Sequence, residues 1–437
     1  MKRHKTYKIV TIGCQMNQAD SERLASFLEG EGFRAARDFE SAQAVILNTC
    51  GIRQAAEDRV YGLANEIRRR NAAAKIVVTG CLSRRPDVQK RLAKNTDIFL
   101  PINEMLKLPE ILAGEEFKPY FSLDKIRLQE GEKYLHIPPK HDSRFTAYVP
   151  IGNGCNNFCS YCVVPYARGR EVYRPALDII KETRALVRAG YKEIILIAQN
   201  VNSYKDGLYD FPRLLSDLLK IRGYFWLRFS SSHPKDMSDE LIKVLGSSPK
   251  VCSHLHLAVQ SGDDKILQAM NRKYTAAHYR RLIKKVRAAK PSIAITTDVI
   301  VGFPGETRAQ FANTVGLFKD IKFDLAYISQ YSPRPQTASY RLKDNVSPAE
   351  KKRRAQALNE ILKQTALANH QELLGQTLEV LVEGRNKKGK YYGKTSGYQT
   401  VLVPAPVSGS APDLIGHFIE VRIVKALPFG LEGELVK

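Results

Sequence analysis

What this chain has least of limits what it can be. Its 437 residues include one tryptophan, five methionines and seven cysteines. Seven is an odd count and sparse for the length, which excludes the paired framework of a small secreted disulfide protein. Acidic residues are short as well: 45 Asp and Glu stand against 68 Lys and Arg, for a net charge of +23 and a pI near 9.6. So basic a surface attracts polyanions, nucleic acid first, without saying which. No apolar run reaches the roughly 18 residues that would cross a bilayer. The basic start, MKRHKTYKIVTIGC, leads straight into a short apolar strand, with no hydrophobic leader or small-residue cleavage site. The expectation is a cytoplasmic monomer with no membrane partner, long enough for two or three domains.

The few cysteines are placed with a pattern. Cys155, Cys159 and Cys162 form C-x3-C-x2-C directly after Gly152-Asn153-Gly154 and the apolar strand TAYVPIG. An iron-sulfur cube has four irons, so three thiols hold it and leave one iron open for a small molecule. A structural zinc knot is the alternative. Zinc thiolate sites usually close with four ligands and favour C-x2-C pairs, and no further Cys or His lies near enough to complete one.

Residues 1–125 read as an α/β domain. YKIVTIG, AQAVILNTCG and AKIVVTGC are strands, and the amphipathic segments QADSERLASFLEGEGF and IRQAAEDRVYGLANEIRRRNAA between them are helices, an alternation that implies a parallel sheet. Each strand ends at a cysteine: Cys14, Cys50 and Cys81. Ligands gather at the carboxyl ends of parallel strands, so these distant thiols can converge into a second tripod. A lone strand-end cysteine is usually a small buried hydrophobe, which is how Cys252 is read; three repeats of one placement argue otherwise.

Residues 126–144 mix charge and proline and read as a linker. From 145 to 370 the strand-helix alternation runs through six units, which suits an open parallel barrel with the cysteine loop after its first strand. Polar residues stand at several strand ends: Gln199 and Asn200, Ser230 to Ser232, Gln260 and Ser261, then Gly302 in VIVGFPGE. Such residues also often just terminate strands. Residues 371–437 change to period-two alternation punctuated by glycine, a small antiparallel β-barrel. Its loop, Arg385, Lys387, Lys388 and Lys390 with Tyr391 and Tyr392, combines phosphate-seeking charge with rings able to stack on bases.

The C-x3-C-x2-C loop with Tyr161 before its last thiol resembles the cluster motif of radical S-adenosylmethionine (SAM) enzymes. GCQMNQADSE, NTCGIRQAAEDRV and VVTGC resemble the first domain of the methylthiotransferases, and residues 371–437 resemble the TRAM domain, an RNA-binding barrel. The resemblance implies two 4Fe-4S clusters: Cys155, Cys159 and Cys162 would hold the one that binds SAM, and Cys14, Cys50 and Cys81 an auxiliary one. It further implies SAM contacts at Tyr161, Gln199, Asn200, Gln260, Ile300 and Gly302, a tRNA substrate, an electron donor and a sulfur source. Segments such as CSYCVVPYARGREVYRP and SSHPKD resemble the branch that adds a methylthio group to carbon 2 of N6-isopentenyladenosine beside the anticodon. The same chemistry on threonylcarbamoyl-adenosine or a ribosomal-protein aspartate, and a non-catalytic iron-sulfur RNA-binding protein, stand as alternatives. Arg168 and Arg170 could grip phosphate or the SAM carboxylate, or pair with Glu171. Four positions depart from the family's expected residues: Ala198 for glycine before Gln199 and Asn200, Ala258 for proline, Gln336 for glycine, and Asn153 where an acidic or amide residue is more usual.

Overall fold

The computed structural model describes residues 5–51, 54–113, 133–405 and 413–436. Its first unit is a five-stranded sheet. Strands β1 (Thr6–Ile12), β2 (Arg34–Ala35), β3 (Ala44–Thr49), β4 (Lys75–Gly80) and β5 (Ile98–Phe99) lie in the order β2-β1-β3-β4-β5, every pair parallel. The β-branched residues that favour strands are buried on both faces. Val45 and Leu47 pack on Val60 and Ile67 of helix α2 (Gln54–Arg70), while Ile46 packs on Leu24 and Leu28 of helix α1 (Gln15–Gly30). Between β1 and β3 the strand order reverses, and a crevice opens at the carboxyl ends of the strands at such a switch point.

The segment read as a linker behaves differently. Residues 126–132 lie outside the described residues, but the short turn Lys133–His136 buries Tyr134 and Leu135 in the core beneath α1. Two large apolar side chains outweigh the charge around them, and this stretch is a tie rather than a spacer.

Six parallel strands follow: β6 (Thr146–Pro150), β7 (Glu193–Ile197), β8 (Trp226–Phe229), β9 (His254–His256), β10 (Ala294–Val301) and β11 (Leu325–Gln330). They form two triplets in chain order, joined by bridges at Leu227–Val251 and Ser232–Leu257. The result is a curved, open barrel, with one core of outward-facing Val, Ile, Leu and Phe under the helices.

The chain ends in a closed barrel of β12 (Thr377–Arg385), β13 (Tyr391–Thr395), β14 (Thr400–Val403), β15 (Phe418–Leu427) and β16 (Gly430–Leu435), antiparallel except between β14 and β16. It docks on the amino ends of the central strands. Trp226, Cys252 and Leu381 pack together there with Phe145 and Phe418, which makes Cys252 a core thiol as expected. The Tyr398 ring stacks on His254 with centroids 4.8 Å apart, and Arg228 donates to the Ser396 carbonyl at 3.1 Å. The first unit docks on the inner face of β6 and β7, where Met16 and Ala19 of α1 meet Tyr148, Ile195 and Ile197.

Candidate functional site

The local cysteine loop follows β6 at the carboxyl end of the barrel. Gly154 has φ +83°, and a Cβ there would run into the Arg170 carbonyl, so only glycine lets the chain turn into Cys155. Phe158 takes φ +46° within the loop. The turn after the short helix Asp264–Ala269 fastens the loop from the side. Ser160 N donates to the Met270 carbonyl at 3.1 Å, and Asn271 Nδ2 donates to the Phe158 carbonyl at 2.9 Å.

Cys14, Cys50 and Cys81, the thiols expected to form the second tripod, stand just past the carboxyl ends of β1, β3 and β4. Cys14 caps the start of α1, with its Sγ 3.3 Å from Asn17 Oδ1. The same Asn17 donates to Asn48 Oδ1 at 2.9 Å and to the Thr49 carbonyl at 3.2 Å. Cys50 N donates to Ile12 O and Cys81 N to Thr49 O, both at 2.8 Å, which extends the ladder by one residue on each strand. A Cβ on Gly51 would stand 3.2 Å from Cys81 Cβ, so the loops after β3 and β4 touch.

The two sets of thiols are near enough to feel each other's charge. Burial first, then the charges of Cys159 and Cys155 and, from the other tripod, Cys81, push the Cys162 thiol upward, and burial pushes Cys155 up to about 11. Thiols so disfavoured as anions hold their protons until a cationic centre displaces them. Among the described residues no three ligating side chains converge tightly enough to close on a single metal ion.

Near Cys14 and Cys81 lies Arg168, whose ion-pair partner is Asp20 rather than Glu171. Its Nη2 donates to Asp20 Oδ2 on α1 at 2.6 Å and its Nη1 to Asn153 Oδ1 at 3.0 Å, with both members of the ion pair at most 2% exposed. Burial works against its charge, but Asp20, Cys81, Tyr134 and Cys14 around it hold the guanidinium protonated. Arg170 is exposed and stacks on Phe158 at 4.9 Å. A second buried tie joins Glu57 of α2 to Arg85 at 2.6 Å and to Arg334, in the loop after β11, at 2.8 Å.

The expected SAM contacts lie around the same mouth. Tyr161 packs against Ile266, Met270, Phe303 and Tyr331 with Ile300 beside it. Gln199 Oε1, Asn200 Oδ1 and Ser232 Oγ are buried without a hydrogen-bond partner, a set of polar atoms suited to a polar cofactor such as SAM. Gln260 takes φ +67°, and its carbonyl accepts from Ile300 N at 3.0 Å. Gly302 serves the fold: its N–H donates to Glu306 Oε2 at 2.7 Å, and a Cβ would strike Lys351.

Sequence reading missed Arg272. Its Nη1 lies 3.4 Å from Cys159 Sγ, while Nη2 donates to the Ala258 carbonyl at 2.7 Å and Nε to Tyr274 Oη at 2.8 Å. Only its arginine identity hinted at this, since the residue is more than a hundred positions from the thiol. The Ala258 position contributes chiefly its carbonyl, which proline would offer as well.

Two basic segments need correction. Tyr391 is 1% exposed in the core of the last barrel, and its ring is not available to stack on a base. Arg385, itself exposed, lies over that ring at 4.3 Å and Lys390 pairs with Glu432 at 3.4 Å, while Lys387 and Lys388 are exposed as well. In the helix Pro348–Gln371, Lys351 and Arg354 are buried against Asp344 and Glu306, so KKRRAQ adds less positive surface than its composition promised.

The comparisons agree with this architecture. The chain matches the Radical SAM superfamily over residues 149–318, the uncharacterized protein family UPF0004 over 6–100 and the TRAM domain over 371–436. A tRNA-2-methylthio-N(6)-dimethylallyladenosine synthase of Syntrophomonas wolfei is 40% identical, with 99% of this chain and 98% of that protein covered. One from Neisseria gonorrhoeae is 37% identical, covering 98% and 99%. Among solved structures, the radical SAM methyltransferase TsrM of Kitasatospora setae superposes with a TM-score of 0.55 at 15% identity, over 77% of this chain and 74% of that one. The cobalamin-dependent radical enzyme OxsB gives 0.54 at 12% identity, over 83% and 56%. Those two likenesses speak for the fold alone.

A cysteine loop after the first strand of an open six-stranded barrel, matched over that barrel, marks a radical SAM protein. With its flanking units the chain belongs to the family of the tRNA-2-methylthio-N(6)-dimethylallyladenosine synthases, the MiaB-type methylthiotransferases.

Proposed function

We propose that this chain adds a methylthio group to carbon 2 of N6-dimethylallyladenosine beside the anticodon of tRNA, and that it carries two 4Fe-4S clusters to do so. Supporting this most directly is the placement of Cys14, Cys50 and Cys81 just past the carboxyl ends of β1, β3 and β4, with Cys81 near enough to raise the Cys162 thiol. When bound, the first cluster with SAM supplies an electron and a 5'-deoxyadenosyl radical that removes hydrogen from an unreactive carbon, and the auxiliary cluster supplies the sulfur.

The protein's own part is placement. Cys155, Cys159 and Cys162 hold the first cluster, and Arg272 beside Cys159 offsets the negative charge of its thiolate. Gln199, Asn200 and Ser232 offer their unpartnered oxygens to SAM, while Tyr161 and Ile300 give its rings an apolar wall. Cys14, Cys50 and Cys81 hold the auxiliary cluster. Lys387 and Lys388 hold RNA phosphate. An electron donor and a sulfur source complete the set of partners, and the chain acts as a cytoplasmic monomer. No helix among the described residues is long and apolar enough to cross a membrane.

Mass spectrometry of tRNA nucleosides from cells lacking the gene tests the reading. Loss of the methylthio-isopentenyl nucleoside alone is expected. An unchanged profile, or loss of a thiolated threonylcarbamoyl nucleoside instead, overturns it.

A further inference from the structure

The inner face of the central barrel is packed at its amino end and open above. Side chains alternate along a strand. Leu255, Ile295, Val299 and Ala326 point outward into the core under the helices, so His254, His256, Thr296, Asp298, Ile300 and Tyr327 point into the lumen. Tyr398 covers His254 from below. One layer higher the wall is more open: the Asp298 side chain is 40% exposed and Tyr327 38% exposed.

These groups are ordered relative to one another. The strand register sets Asp298 directly across from Tyr327, and the His256 and Tyr327 rings are 6.1 Å apart. Both His256 nitrogens are engaged, Nδ1 with Thr296 Oγ1 at 3.0 Å and Nε2 with Asp298 Oδ2 at 3.1 Å. The imidazole therefore fixes the carboxylate by one oxygen and leaves Oδ1 to accept from something in the lumen. Ile300 is two residues further along the same face, roughly 6.6 Å nearer the mouth at strand rise.

In a chain of net charge +23, an accessible carboxylate inside the barrel repels phosphate and selects a donor. We propose that Asp298 and Tyr327 seat the base to be modified, a flat heteroaromatic ring with one exocyclic N–H, with His256 as the residue that positions the carboxylate. The proposal rests on the substrate reading above. An N6-alkylated adenine keeps one N6–H, which donates to Asp298 Oδ1 while the ring lies against Tyr327. Carbon 2 is meta to the carbon that carries N6, and its C–H bond diverges from the C6–N6 bond, so anchoring N6 at this depth leaves carbon 2 facing away from the carboxylate, on the side of the strand ends.

Equilibrium binding of the reconstituted, anaerobic holoenzyme to two labelled anticodon stem-loop RNAs tests this. One RNA carries N6-dimethylallyladenosine; the other has an ether oxygen in place of N6, equal in shape but without the hydrogen. Wild type is expected to prefer the first by about tenfold or more, the scale of a hydrogen bond to a charged group. Asp298→Ala should bind both alike, and His256→Ala should narrow the preference. Tyr327→Leu should weaken both RNAs equally and keep it. A wild type without preference, which needs no variant to observe, overturns the proposal, as does a preference retained in Asp298→Ala. If wild type binds the alkylated RNA no better than its unmodified parent, the substrate reading itself fails.

Discussion

The two sets of three cysteines are positioned by different means. Cys155, Cys159 and Cys162 belong to one loop, shaped by its own positive-φ residues and fastened by the turn at Met270 and Asn271. Cys14, Cys50 and Cys81 come from three strands, and the backbone ladder of the sheet sets their spacing. A glycine precedes the thiol in both: Gly154 before Cys155, Gly80 before Cys81. The difference teaches where each is vulnerable. The local tripod depends on a loop that can rearrange without unfolding a domain, whereas the assembled one persists as long as the sheet does.

Removing one ligand from each gives the largest contrast. Cys159→Ala is expected to abolish reductive cleavage of SAM to 5'-deoxyadenosine, and Cys50→Ala to leave cleavage in place while ending thiolation of RNA. Iron analysis should find about eight atoms per chain in wild type, as two such cubes require, and about half that in either variant. Thiolated product from Cys50→Ala would undo the division of labour between the tripods.

Arg168 is where the comparison can be broken from the middle, because it belongs to the local loop but pairs with Asp20 behind the assembled tripod. Losing one member of a buried ion pair leaves the other uncompensated, typically costing about 3–5 kcal/mol. Arg168→Met should therefore lower the denaturant midpoint substantially, and Asp20→Asn combined with it should restore part of the loss. If Arg168→Met unfolds like wild type, the pair is not what holds the first unit against the barrel.

Much of this was legible in the sequence, for a physical reason. The α/β alternation shows in the sequence because its period sets which faces are buried, and so does the place of Cys14, Cys50 and Cys81 past three strand ends, where ligands gather in parallel sheets. What stayed hidden was long-range pairing of charge. Arg168 looked like a partner for its neighbour Glu171, and only the fold brings Asp20 to it from 148 positions away. Arg272 beside Cys159 and Arg334 on Glu57 are of the same kind. Tyr391 failed for a local reason: on a strand of alternating burial, it takes the inward face and Tyr392 the partly exposed one. Gln336, at φ +73° where the family favours glycine, shows that a backbone requirement can persist after the residue that suits it is gone.

The smallest expected effects come from the two glycines, and they sharpen the comparison most. Both have left-handed φ, +80° at Gly80 and +83° at Gly154, and an added Cβ would meet backbone in each case, Thr49 for the first and Arg170 for the second. A non-glycine residue there costs about 1–2 kcal/mol from backbone alone. The consequences should differ because the surroundings do. Gly80 sits in the ladder between β3 and β4, so Gly80→Ala has to shift a strand end and should lower the thermal midpoint together with auxiliary iron. Gly154 is in the loop, so Gly154→Ala should reposition Cys155 and reduce SAM cleavage while the thermal midpoint of the metal-free protein barely moves. Calorimetry of both variants before and after reconstitution reads the two effects separately. Equal thermal losses would mean that the local loop is as much a part of the fold as the sheet is.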